Sequence, residues 1–148
     1  MKIEEGIKQK FLYSEGFNIF KIIYFFYQFL KTKKILKKNI HYSNWGLDMM
    51  ADDFFKKKSK GIYIDVGCHQ PLLNNNTYRL YKRGWTGINI DLDFNTIDMF
   101  KFFRKNDISI QTAISDKEEE RDLFFFHNRS PVNTLSKENG FNAREIKK

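Results

Sequence analysis

The pattern of hydrophobic positions changes character at residue 61. Before it, residues 17–30 read FNIFKIIYFFYQFL, an almost continuous apolar run with Lys21 and Gln28 inside it. After it, short runs rich in β-branched residues alternate with turns marked by Asp, Asn and Gly. Residues 61–67, GIYIDVG, predict a buried strand. Residues 68–71 make a turn, and an Asn among residues 74–76 is placed to cap a short helix carrying Tyr78, Leu80 and Tyr81 and closed by Gly84. Residues 86–91 predict a second strand. Asp93 is expected to cap a second helix, whose apolar positions Phe94, Ile97, Phe100 and Phe103 recur every three residues. Residues 108–114 predict a third strand. This strand–helix–strand–helix–strand order is half of a doubly wound α/β fold, with parallel strands and right-handed crossovers. Beyond it, residues 115–122 read as a charged turn and residues 123–126 as a strand closing a hairpin. Residues 127–148 show no period.

The N-terminal run is shorter than the roughly 20 apolar residues that a spanning helix needs. It also lies too deep in the chain, with no small-residue cleavage site after it, to be a secretory signal. Lysines 31, 33, 34, 37 and 38 follow at once. Two readings fit. Residues 17–38 lie on an anionic membrane surface as a peripheral contact, or they form a helix packed against the domain or a partner. Left uncovered, so aromatic a surface invites self-association into a homo-oligomer. Residues 39–60 read as a connector with a short helix, capped by Asn44 and supplied with apolar contacts by Trp45, Leu47, Met49, Met50, Phe54 and Phe55. The lysines at 56–60 mark a boundary between a basic helical extension, 1–60, and a domain, 61–148.

Composition narrows the class. The chain has 148 residues, 41% of them hydrophobic, which suits one domain with an ordinary core. A single cysteine excludes a disulfide framework and the multi-cysteine zinc motifs, so no metal site is expected. It also fits a reducing compartment, which makes the cytoplasm the expected location, with membrane association if the extension binds lipid. Of the net charge of +8, residues 1–60 carry +7, from thirteen lysines against six acidic residues. No arginine stands among them and no Arg/aromatic alternation appears, so no nucleic-acid partner is expected.

In such a sheet, ligands bind beyond the carboxyl ends of the strands, near a reversal of strand order. Those ends are residues 65–71, 91–93 and 112–115. Asp91, an acid at the end of the second strand, is placed to accept hydrogen bonds from two ribose hydroxyls. Gly67 removes a Cβ from the turn after the first strand and lets backbone N–H groups approach a ligand. Asp65 either meets a ligand ammonium group or holds the turn. One glycine followed by Cys, His, Gln and Pro is not the three-glycine dinucleotide fingerprint, which disfavours a nicotinamide cofactor. S-adenosylmethionine keeps the adenosine without a phosphate and tolerates such a turn. An α/β core with ordinary strand-end turns remains the alternative.

Three blocks, IDVGCHQP at 64–71, NNNTYRLYKRGWTGINID at 74–91 and ISIQTAIS at 108–115, resemble in order and separation the FkbM family of S-adenosylmethionine-dependent methyltransferases. Residues 133–136, NTLS, resemble that family's loop after its hairpin. The resemblance covers about residues 61–136 and implies a Rossmann-like class I methyltransferase fold. It implies methyl transfer to a hydroxyl, with a small-molecule or saccharide acceptor such as a surface polysaccharide sugar or a secondary metabolite. On this resemblance Asp65 and Gly67 belong to the turn around the methionine part, together with Cys68, a small residue expected to be buried. Asp91 holds the ribose, and Ala113 and Ile114 lie against the adenine. His69 follows the turn and is the candidate catalytic base, the alternative being a packing or hydrogen-bonding role there. Family members continue with a strand resembling aspartate-valine-glutamate-glycine, and no such block follows here. The expectation is therefore an incomplete domain, β-α-β-α-β plus a hairpin, inactive alone. The rival expectation is a truncated, non-catalytic fragment or a membrane- or partner-binding module.

Overall fold

The computed structural model describes residues 18–36, 41–118, 122 and 124. Helix α1 (Ile19–Leu36) leads to a 3₁₀ turn (Asn44–Gly46) and helix α2 (Leu47–Phe54). Then come β1 (Ile62–Val66), α3 (Tyr78–Lys82), β2 (Thr86–Asp91), α4 (Phe94–Phe103) and β3 (Ile108–Gln111). The three strands form one parallel sheet in the order β1-β2-β3, with Ile64 beside Ile88 and Ile88 beside Ile108. The protein is thus mixed α/β with a small open parallel sheet, compatible with part of a Rossmann-like fold. β1 and β2 fall where the hydrophobic runs place them. β3 is shorter than residues 108–114, because pairing ends at Gln111 beside Asp91, although the Thr112 N–H still donates to the Asp91 carbonyl at 3.1 Å. Of the strand expected at 123–126 only Phe124 is described, as a single bridge residue; the rest of that strand, the hairpin it closes and the NTLS loop lie outside the described residues.

Local signals explain the helix ends. Asp93 caps α4, its carboxylate accepting from the N–H groups of Asn95 and Thr96 at 2.8 and 3.0 Å. Gly84, at φ +89°, closes α3: its N–H reaches the Tyr81 carbonyl and that of Trp85 the Leu80 carbonyl, a Schellman pair. Two expected caps differ. No Asn caps α3; Thr77 precedes it, and Asn75 Oδ1 accepts from the Thr77 N–H at 2.9 Å, one residue short of the helix, while its Nδ2 reaches Asp65. Asn44 does not cap α2, which starts from Gly46 in the left-handed conformation. What fixes α2 is Asp48, fully buried, which accepts from the Ser43 hydroxyl at 2.7 Å, the N–H groups of Tyr42 and Ser43, and the Arg79 guanidinium at 2.9 Å. Of the apolar residues expected to pack in the connector, Phe55 does, against Trp85. Trp45 and Phe54 are instead 91% and 81% exposed.

The two faces of the sheet are unlike. Tyr63 and Asp65 of β1, Gly87 and Asn89 of β2 and Ser109 of β3 share one face by register, the face that carries the buried core. Tyr63 packs there with Leu80 and Trp85. A Cβ on Gly87 would land in the Tyr63 ring, so only glycine lets that ring cross β2. The Tyr63 hydroxyl donates to Asp107 at 2.6 Å, and burial pushes its pKa well up. The other face carries Ile62, Ile64, Val66, Ile108 and Ile110, all exposed. Parallel sheets are ordinarily covered on both sides, and this face carries the apolar side chains such a cover would bury.

The N-terminal helix docks on the domain. Lys21, fully buried, pairs with Asp98 of α4 at 2.6 Å, and Phe25 meets Phe102 and Phe103. The connector also packs on the core: Arg83, just after α3, pairs with Asp52 of α2 at 2.5 Å. No helix among the described residues is long and apolar enough to cross a membrane.

Candidate functional site at the strand ends

The carboxyl ends of the three strands stand side by side. Val66 is level with Ile90, and Asp91 with Gln111. Past β1 the chain stays bound to β2, because the N–H groups of Gly67 and Cys68 both donate to the Ile90 carbonyl, at 2.9 and 3.2 Å. Gly67 takes φ +69°, and a Cβ there would meet nothing within 4 Å; glycine serves the backbone angle. The His69 N–H then donates to Asp91 Oδ2 at 3.0 Å, and the Gln70 N–H turns back to the Cys68 carbonyl. Four consecutive N–H groups are therefore consumed within the fold. This corrects the expectation that the turn offers backbone N–H groups to a ligand; a pyrophosphate would find no free backbone N–H in residues 67–70.

Asp91 sits between the strand ends. Its Oδ2 holds the turn after β1, and its Oδ1 accepts from the Asp93 N–H at 3.0 Å, holding the start of α4. A carboxylate offers about four lone pairs, so each oxygen keeps one for a hydroxyl. Asp65 Oδ2 accepts from Asn75 Nδ2 at 3.1 Å and the Thr77 hydroxyl at 2.8 Å. Its Oδ1 has no partner among the described residues. Both carboxylates are only partly buried. The strand ends thus present acceptors to solvent, matched to a ligand rich in hydroxyl and ammonium donors. Ala113, half-buried, and Ile114, exposed, follow Thr112 next to Asp91. The residues expected to converge do so along one edge. The described strands run in sequence order, so no reversal occurs among them; β1 is the edge where one would lie.

The Cys68 side chain turns inward, against Ile97 and Phe100. Burial first, then the nearby Asp91 and Asp65 carboxylates, push its thiol pKa far up, so it stays protonated. His69 sits in the left-handed region at φ +51°, half-buried. No cluster of metal-ligating side chains occurs among the described residues.

Beneath the carboxylates lies a cation that the hydrophobic pattern does not reveal. Arg104, just after α4, is fully buried. Its Nε donates to the Pro71 carbonyl at 2.8 Å, Nη1 to the Thr77 hydroxyl at 2.8 Å, and Nη2 to Asn75 Oδ1 at 2.5 Å. The guanidinium also stands 3.8 Å from Asp107 and stacks near Phe100, Tyr78 and Tyr81. Arg104 therefore fixes Asn75 and Thr77, and these two fix Asp65. A separate cavity of about 290 Å³ opens between α1 and α3, lined by Phe29, Thr32, Lys33, Tyr42, Leu72, Tyr78 and Lys82. No protein-family model, curated protein or solved structure matches the chain.

Proposed function

We propose that the strand ends form the donor site of an S-adenosylmethionine-dependent methyltransferase that acts on a hydroxyl of a sugar or secondary metabolite. The observation that carries this reading is the pair of carboxylates on adjacent strand ends with lone pairs to spare, beside a turn whose N–H groups are spent. That combination favours a ligand bearing ribose hydroxyls and an ammonium group over one bearing phosphates. When bound, S-adenosylmethionine supplies a methyl group activated by a sulfonium. In this reading Asp91 accepts from the ribose hydroxyls and Asp65 from the ammonium. Ala113 and Ile114 give the adenine an apolar wall. His69 takes the proton released by the acceptor hydroxyl, although the larger contribution to such a reaction is positioning. The same reading places the chain in the cytoplasm, where a buried protonated thiol stays reduced.

A second reading, a non-catalytic module, draws on the fact that both carboxylates already hold turns of the fold. Calorimetric titration with S-adenosylhomocysteine separates the two. Saturable binding is expected, and Asp91→Ala weakens it by about 1–3 kcal/mol, since the hydroxyls lose their acceptor. An unchanged dissociation constant removes Asp91 from the site. Absence of saturable binding by the folded chain favours the module, and preference for NADH overturns the donor assignment.

A further inference from the structure

We infer that the outer face of α1 is a docking surface for an anionic lipid bilayer, on which the helix lies flat. The inner face of α1 is already used, by Lys21 on Asp98 and by Phe25 and Phe29 on the aromatic rings of α4. The opposite face carries Ile19, Phe20, Ile23, Phe26, Tyr27 and Leu30, each between 50% and 62% exposed. At 3.6 residues per turn these fall on one side, and positions 23, 27, 30 and 34 follow a single line along it. Apolar side chains therefore cover about three turns, roughly 17 Å of helix. The last turns of the same side then change to exposed Lys31 and Lys34, with Lys33 on the flank. Lys82 stands across the adjoining cavity of about 290 Å³ from Lys33, its ammonium donating to the Tyr42 hydroxyl at 2.8 Å, so it is the three lysines of α1 that close the apolar stripe.

The charge chooses the occupant. α1 contains no acidic residue, and residues 1–60 carry +7. Lysine is depleted at protein–protein interfaces, and a second copy packed on this face would bring lysines of one sign together. Rings and aliphatic side chains beside a lysine cluster suit the headgroup boundary of a bilayer, where the rings enter and the ammonium groups meet phosphates. The helix is too short and too charged to span, and no helix among the described residues qualifies. This inference does not depend on the donor site.

Flotation with phosphatidylcholine vesicles, with and without about one third phosphatidylglycerol, tests it. Co-migration with the anionic vesicles, lost in high salt, is expected. Changing all three lysines, K31Q/K33Q/K34Q, is expected to lower partitioning about a hundredfold, near fivefold per lysine. F26Q/L30Q is expected to lower it at least tenfold. Both variants change exposed side chains, and an unaltered circular dichroism spectrum confirms that they fold. No binding by the wild-type chain overturns the inference, as does equal binding to neutral and anionic vesicles. A dimer abolished by F26Q/L30Q without any vesicle binding would assign the face to a second copy instead.

Discussion

Replacing Arg104 separates the role of its charge from that of its planar fork. Arg104→Lys keeps the charge but puts one nitrogen where the guanidinium uses three. The Pro71 carbonyl, Thr77 hydroxyl and Asn75 Oδ1 lie on different sides of the fork, at 2.8, 2.8 and 2.5 Å, and a single ammonium cannot serve them all. Each buried acceptor left without a donor costs about 1–3 kcal/mol. Two such losses, partly offset by relaxation, give a destabilisation of about 3–4 kcal/mol. Arg104→Met also leaves Asp107 without its nearby cation, and it falls in the 3–5 kcal/mol range typical of a broken buried pair. Asp107 keeps the donors from Tyr63, Gly87 and Asn89, which limits the extra loss. With a urea slope of about 2 kcal/mol/M, either variant moves the unfolding midpoint down by roughly 2 M. Far-UV circular dichroism follows the transition. Native-state hydrogen exchange adds the local readout: the Asn75 and Thr77 amides, which donate to the Tyr42 carbonyl and to Asn75 Oδ1, lose protection first. If Arg104→Lys unfolds within 0.5 M of wild type while Arg104→Met does not, charge alone matters and the fork argument fails.

Other substitutions probe the docking of the helices and the packing of the sheet. Lys21→Met leaves Asp98 buried without its ammonium and costs about 3–5 kcal/mol in urea unfolding, whereas the double variant K21M/D98L recovers most of it; equal stability of the single and double variants would refute the pairing. Gly87→Ala pushes a methyl into the Tyr63 ring and costs about 2–3 kcal/mol, a fall in Tm near 8 °C, and an unchanged Tm would show that the ring yields freely. Burial raises the pKa of Asp48, but its hydrogen bonds from Tyr42, Ser43 and Arg79 outweigh burial and hold it below the ordinary 3.8. Its stabilising effect is therefore complete above about pH 4 and disappears as pH falls through the lowered folded value. The stability gap between wild type and Asp48→Asn is accordingly level from neutrality down to about pH 5 and narrows below pH 4. A gap that widens on acidification would contradict this.

The sequence was legible where structure is local. Strand β2 and the Asp93 cap follow from short-range patterns, and the strand-end alignment of Asp65 and Asp91 follows from one β-α-β crossover of ordinary length. The alternation in residues 62–66 marks a strand but does not say which face is covered. The structure turns Tyr63 and Asp65 toward the core and leaves Ile62, Ile64 and Val66 outside. Arg104 escaped notice because a lone cation after an apolar helix resembles a surface residue. The groups that accept its hydrogen bonds are 27 to 41 positions away and assemble only when the sheet forms. Lys21 gave a visible signal, one charge inside an apolar run, but its meaning depended on Asp98, 77 positions away. The Asn75 amide reads as a helix cap by type, yet a carboxylate and a buried guanidinium compete for it and win.

The outer margin of β1 has a consequence for how the molecule behaves in company. Among the described residues no strand pairs with this side of its five residues, which lie beside isoleucines and a valine, with Asp65 as the single acidic residue. Neither proline nor lysine interrupts it, though these are the residues that usually discourage intruders at a sheet margin. A stray extended segment would find there both a row of donors and acceptors and a greasy floor. As the solution is concentrated, β-rich clumping should begin along this seam while the helices are still intact.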